Sequence, residues 1–171
     1  MLKGVGICLV IAGCSGMGWY MAERHALRIR MLNEFEQALQ FLYGEIEYAG
    51  CDMVELFDKL AFRGGYFAPF WLQMSGKLRS YDGVRFWEHW CRELPKISGY
   101  QNLQEEDLEI LLGIGANLGN LDRQTQLHTI QIFQKRLQEV IVTARQEYRG
   151  KAKVSCVIGI TAGIFLALLL I

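Results

Sequence analysis

The chain has 171 residues, enough for one ordinary domain, and a mean hydropathy of +0.13 with 51% apolar residues. Formal charge is zero, and once Lys3 is set aside the stretch 23–153 keeps 17 of the 18 basic residues against all 18 acidic ones. A nucleic-acid binder needs a basic surplus to displace phosphate counterions, so nucleic acid is excluded as the expected partner.

Residues 4–22 form a run of 19 without a charge. At ~1.5 Å per helical residue such a run spans roughly 28 Å, close to the ~30 Å hydrocarbon layer, and predicts a transmembrane helix. Ala12 with Gly16, and Cys14 with Gly18, place small residues four apart on it. Ile11-Ala12-Gly13-Cys14 also has the look of a lipobox, which would make the chain a lipid-anchored, exported interaction protein. Against that, apolar residues continue through Ala22, and the arginines that follow resist export.

The domain between the ends reads as all-α. Met31, Phe35, Ala38, Leu39, Leu42 and Ile46 mark an amphipathic helix over 27–48, and Met53, Val54, Phe57, Leu60 and Ala61 a shorter one stopped by Gly64-Gly65. Two more helices are expected at 67–78 and 84–94, with Phe70, Trp71, Phe86, Trp87 and Trp90 filling a core between them. Asn102 and Glu105 have capping-box spacing ahead of a helix through Leu118, and Gly119-Asn120 ends it. The acidic residues Glu105, Glu106, Asp107 and Glu109 suit the positive end of that helix dipole; they also offer a docking patch for a basic partner. Asp122 is placed to cap a last helix whose residues Leu127, Ile130, Gln134, Leu137, Ile141, Ala144 and Tyr148 make a heptad-like, coiled-coil seam. No breaker precedes Gly150, so this helix is expected to continue as a stiff rod.

Residues 154–171 are a second uncharged run and the second predicted transmembrane helix, with Ser155, Gly159, Gly163 and Ala167 on one packing stripe. The domains are then 4–22, 23–153 and 154–171. Arg24, His25, Arg28 and Arg30 follow the first run, and Arg145, Arg149, Lys151 and Lys153 precede the second, so the positive-inside rule puts 23–153 in the cytoplasm.

Chemistry is sparse. His25, His89 and His128 are far apart, and His89-x-Cys91 lacks the further ligands a zinc site needs. Five cysteines without a Cys-x-x-Cys suggest reduced thiols. Walker, Rossmann and hydrolase motifs are absent, and Gly113-Ile114-Gly115 sits among leucines of a helix where close packing accounts for it. Neither catalysis nor a cofactor is expected; a membrane enzyme with an undetected site is the remaining alternative.

The pattern Leu118-Gly119-x-x-Asp122-Arg123-x-x-Gln126, the early Leu39, Leu42, Glu45, Ile46 and Tyr48, and the basic Gly150-Lys151 before a glycine-striped run resemble the stage III sporulation protein AB family of endospore-forming bacteria. That resemblance implies a component of the channel between mother cell and forespore. It implies a place in the membrane surrounding the forespore, with the body on the mother-cell cytoplasmic side. The family is similar to platform proteins of type II secretion and type IV pilus machines, so the resemblance also implies a bundle of about six helices. The partners implied are a cytoplasmic ATPase (stage III sporulation protein AA), other membrane components of the channel, and membrane lipid, with self-association open. Glu105, Glu106 and Glu109, with the motif residues Asp122, Arg123 and Gln126, are the candidate partner-binding set.

Overall fold

The computed structural model describes the side chains of residues 23–48, 50–119 and 122–148, together with the helical backbone that extends beyond them. Six α-helices are present among the described residues, and each follows from a local signal. Helix α1 (Leu2–Gly44) passes into one π-turn, Glu45–Ala49, where Gly50 takes the left-handed conformation (φ 60°) and donates its N–H back to the Glu45 carbonyl. Met31, Leu32, Phe35, Leu39 and Leu42 are all buried, as their spacing predicts.

Asp52 caps α2 (Met53–Phe62) by accepting the Met53 N–H at 2.8 Å. Helix α3 (Ala68–Ser80) starts against α1, because the Glu34 carboxylate accepts the N–H groups of Tyr66 at 2.9 Å and Phe67 at 2.8 Å. The turn that makes this possible needs Gly65, which has φ 101° and whose Cβ, if present, would stand 2.4 Å from a Glu34 oxygen. Helices α4 (Phe86–Glu93) and α5 (Glu105–Leu118) follow, joined by two 3₁₀ turns, and α6 (Arg123–Leu170) closes the chain.

Helices α1 and α6 pair antiparallel. The register is read from Asn33–Arg145, Glu36–Gln138, Tyr43–Gln131 and Glu47–Arg123. This defines a near end, at Arg24 and Tyr148, and a far end, at Glu47 and Arg123. Helix α2 descends from the far end beside α1, with Lys59 at Glu45 and Arg63 over Phe41. Helix α3 returns beside it, and α4 descends against α5, with Phe86 at Gly119 and Trp90 at Gly115. The far half is therefore six helices thick. The near half holds α1, α5, α6 and the 94–104 segment.

Aromatic rings fill the centre of the far half. Phe35, Phe57, Phe70, Trp71, Phe86 and Trp90 meet in edge-on, tilted and stacked pairs with centroids 4.8–6.2 Å apart. Trp90 also donates its indole N–H to the Leu111 carbonyl at 3.0 Å. A Cβ at Gly115 would stand 2.4 Å from the Trp90 ring, and one at Gly113 2.8 Å from Phe133, so these two glycines serve helix packing as expected. Trp87 departs from the expected aromatic core, being 37% exposed. It lies on the solvent side of an eight-residue helix whose other face already carries Phe86 and Trp90.

The near end is pinned by charge. Arg28 (α1) and Asp107 (α5) form a two-point ion pair, Nε to Oδ2 at 2.7 Å and Nη2 to Oδ1 at 2.8 Å, with the two residues 3% and 0% exposed. Burial alone would lower the Arg28 pKa; the hydrogen bond and charge of Asp107 outweigh it, and the pKa is raised. Asp107 also accepts the Gln104 N–H at 2.8 Å, so Gln104 and Asp107 form the capping box of α5. This replaces the expected Asn102–Glu105 box. Asn102 is instead in the second 3₁₀ turn, accepting from Arg24 Nε at 3.0 Å.

Asp122 caps α6 as expected, accepting the Thr125 N–H at 2.7 Å and its hydroxyl at 3.0 Å. Among the described residues no helix is long and apolar enough to cross a membrane. The predicted spans 4–22 and 154–171, with the stripe Ser155, Gly159, Gly163 and Ala167, lie outside those residues.

Two outcomes follow. Arg28→Met leaves a buried carboxylate without its counter-ion and should cost about 3–5 kcal/mol in denaturant unfolding of the full chain, whereas Arg28→Met with Asp107→Leu should regain that cost less about 1 kcal/mol for the α5 capping box that Asp107 also supplies. The Asp122 carboxyl is held below its usual range by the Thr125 N–H and hydroxyl. Its stabilising effect is therefore complete above the ordinary aspartate pKa and fades as pH falls through its lower, folded value. The melting-temperature gap between the parent chain and Asp122→Ala should be full at pH 7 and shrink steadily below pH ~4.

Candidate interaction surface

The capping box decides what α5 shows to solvent. With Asp107 turned inward, Glu105, Glu106 and Glu109 are left exposed on the first turn and a half of the helix, at the near end of the bundle. One of the four acidic residues read as a surface run is thus an internal ion-pair partner. The three others form a compact acidic face beside the Arg24 and Arg28 positions of α1.

The motif residues lie elsewhere. Asp122, Arg123 and Gln126 sit at the far end, so the 14 residues of α5 separate them from Glu105, a distance of roughly 20 Å along the helix. The structure does not bring the two halves of the candidate set together. It gives each motif residue one helix end to hold. Asp122 satisfies the N-terminus of α6, Gln126 Nε2 donates to the Leu118 carbonyl at 3.0 Å where α5 ends, and Arg123 donates to the Glu47 carbonyl in the π-turn that ends α1. Gly119 completes the joint, because a Cβ there would stand 2.8 Å from Phe86. The motif is a three-helix clasp in which each polar side chain satisfies a backbone group that helix geometry leaves unpaired.

Elsewhere the polar groups are structural. His89 is buried, with Nε2 at 3.0 Å from Asp82 and Nδ1 without a hydrogen-bond partner among the described residues. Asp82 also accepts the Val84 N–H; that bond, together with His89, holds its carboxyl below the usual range. The Cys91 thiol is half-buried and pushed up by burial, which makes it a poor nucleophile. His128 lies exposed on α6. No group of three or more His, Cys, Asp or Glu among the described residues is placed to hold a metal ion.

Sequence reasoning missed the Arg28–Asp107 pair, although a signal was present. Arg28 continues the stripe of Met31, Phe35 and Leu39, and Asp107 the stripe of Ile110, Leu111 and Ile114. Two opposite charges on two apolar stripes mark a buried pair. Arg28 therefore does not belong with the exposed basic flank. Arg24, Arg30 and Arg145 remain exposed there among the described residues.

Comparison with known proteins in sequence spans nearly the whole chain. The curated stage III sporulation protein AB of Bacillus subtilis (strain 168) is 26% identical over 175 residues, covering 99% of this chain and 99% of that protein. A solved structure of stage III sporulation protein AB superposes with a TM-score of 0.63 at 23% identity over 72% of this chain and 97% of that one, which shows the same fold. The family model for stage III sporulation protein AB matches residues 3–171, and the chain belongs to that family.

Proposed function

We propose that the protein is a non-enzymatic platform component of the sporulation channel. Residues 4–22 and 154–171 anchor it in the membrane around the forespore, and its helical body faces the mother-cell cytoplasm. Family membership supports the sporulation role. The observation that carries the rest is the antiparallel register of α1 and α6. Both helices leave the described body at the same end, and each leads toward an uncharged run long enough to enter a bilayer. A body tethered twice on one side cannot tumble freely, which suits a part that positions others.

The acidic face of Glu105, Glu106 and Glu109 is the proposed docking site for the cytoplasmic ATPase, stage III sporulation protein AA. Placed at the near end, it would face anionic headgroups that repel it, so a basic partner surface covering it is favoured. Asp122, Arg123 and Gln126 act indirectly, by fixing the far ends of α1, α5 and α6.

Reversing Glu105, Glu106 and Glu109 to lysine should cut ATPase recovery in pull-downs from sporulating cells at least several-fold at unchanged protein level; full recovery removes this face as the contact. For the topology, a cysteine placed at the exposed Ser80 should react with an impermeant maleimide only after permeabilisation. Labelling in intact mother cells, or release of the protein from membranes without detergent, overturns the anchored cytoplasmic placement.

A further inference from the structure

The flank formed by α1 and α2 carries a feature that neither the anchors nor the acidic face uses. Phe62, the last residue of α2, is 94% exposed, the most exposed of the large apolar side chains described. Next to it Arg63 lays its guanidinium over the Phe41 ring, 4.5 Å from the centroid. Two open cavities meet at this arginine. One, of about 550 Å³, is lined by Phe41, Glu45, Asp58, Lys59, Phe62 and Arg63. The other, of about 340 Å³, continues past Arg63 to Glu34, Gly65 and Trp71. Together they follow α1 from Glu34 to Glu45, roughly 16 Å or three helical turns.

The charges lining this groove have direct partners, with one exception. Glu45 is bound to Lys59 at 2.7 Å, and Asp58 to Ser75 at 2.6 Å and Arg79 at 2.5 Å. Glu34 is occupied by the Tyr66 and Phe67 N–H groups. Arg63 makes no direct ion pair or side-chain hydrogen bond among the described residues; its guanidinium rests on the face of Phe41. Only its longer-range charge reaches Glu45, whose carboxyl it helps the Lys59 hydrogen bond to hold below the usual range. A guanidinium held on a ring keeps its fork of N–H donors free for a carboxylate, and its weak hydration lowers the cost of covering it. An exposed aromatic beside such an arginine is the residue pairing in which binding energy concentrates at protein interfaces.

We propose that this groove seats an apolar segment of a partner protein that presents a carboxylate to Arg63 and covers Phe62. The inference goes beyond the platform reading, since it depends on neither the anchors nor the acidic face, and it fixes the partner's chemistry. Two exposed elements of one flank, a guanidinium with no direct ion pair among the described residues and an uncovered ring, are satisfied together by one acidic–apolar segment.

The test uses the full chain in nanodiscs of zwitterionic lipid, with empty discs as the blank. The probes are three amphipathic 14-residue helical peptides of leucine with glutamate, glutamine or lysine. The glutamate peptide should bind at least tenfold tighter than the glutamine peptide. Arg63→Glu should transfer that preference to the lysine peptide, Arg63→Lys should keep it in weaker form, and Phe62→Ser should weaken binding at least several-fold. Both sites are exposed, and unchanged melting temperatures confirm that the variants fold. In sporulating cells a photocrosslinker at position 62 should attach to an acidic–apolar segment of another protein. Equal binding of the three peptides, indifference to Arg63→Glu, or cross-links solely to lipid or to a second copy of this chain overturns the proposal.

Discussion

The near end of the molecule depends on one buried contact between opposite charges. Arg28 and Asp107 come from helices 79 residues apart in sequence, and both are removed from water. Such a pair adds little net stability, because the desolvation of two ions offsets most of their attraction. It does impose register. An apolar contact between α1 and α5 would tolerate a slide of part of a turn, whereas a two-point guanidinium–carboxylate contact does not. The same carboxylate accepts the Gln104 N–H, so the position of α1 also sets where α5 begins.

The far end uses a different device for a similar purpose. The backbone groups that three helices leave unpaired at their ends converge there, and Asp122, Arg123 and Gln126 satisfy one helix end each. Between the two ends the aromatic cluster resists sliding by shape, with Gly115 admitting the Trp90 ring against the α5 backbone. Charge at one end, capping at the other and ring packing between them make a body that holds α1 and α6 in fixed register. The platform role proposed above calls for that stiffness, and the two surfaces proposed for partners, the acidic turn of α5 and the flank around Arg63, are ones that the rigid body leaves outside.

Family membership and fold bear on these surfaces differently. The match over residues 3–171 brings the sporulation role, while the likeness to the solved structure brings the fold alone. Which surface meets which partner is a matter of exposed chemistry. In the two proposals Glu105, Glu106 and Glu109 take a cationic surface and Arg63 with Phe62 takes an anion on an apolar segment, so the proposed partners differ in chemistry.

The helices of the body were legible in the sequence because apolar periodicity and turn residues are local signals. Met31 to Ile46, Met53 to Ala61 and the stop at Gly64-Gly65 needed no tertiary knowledge. The Asp122 cap was equally local, since its bonds reach only to Thr125. The Asn102 box failed because two candidate start sites stood two residues apart, and the choice fell to Asp107 through a partner on α1. What lay beyond local reading was every contact between distant segments: Arg28 with Asp107, Glu34 at the start of α3, Arg123 at the end of α1, and the groove at Arg63. Sequence by itself determined the all-helical class and the family, because periodicity and motif spacing are properties of neighbouring residues. Only the tertiary structure decided which charges are buried and which remain for partners, because burial depends on what the rest of the chain packs against each side chain.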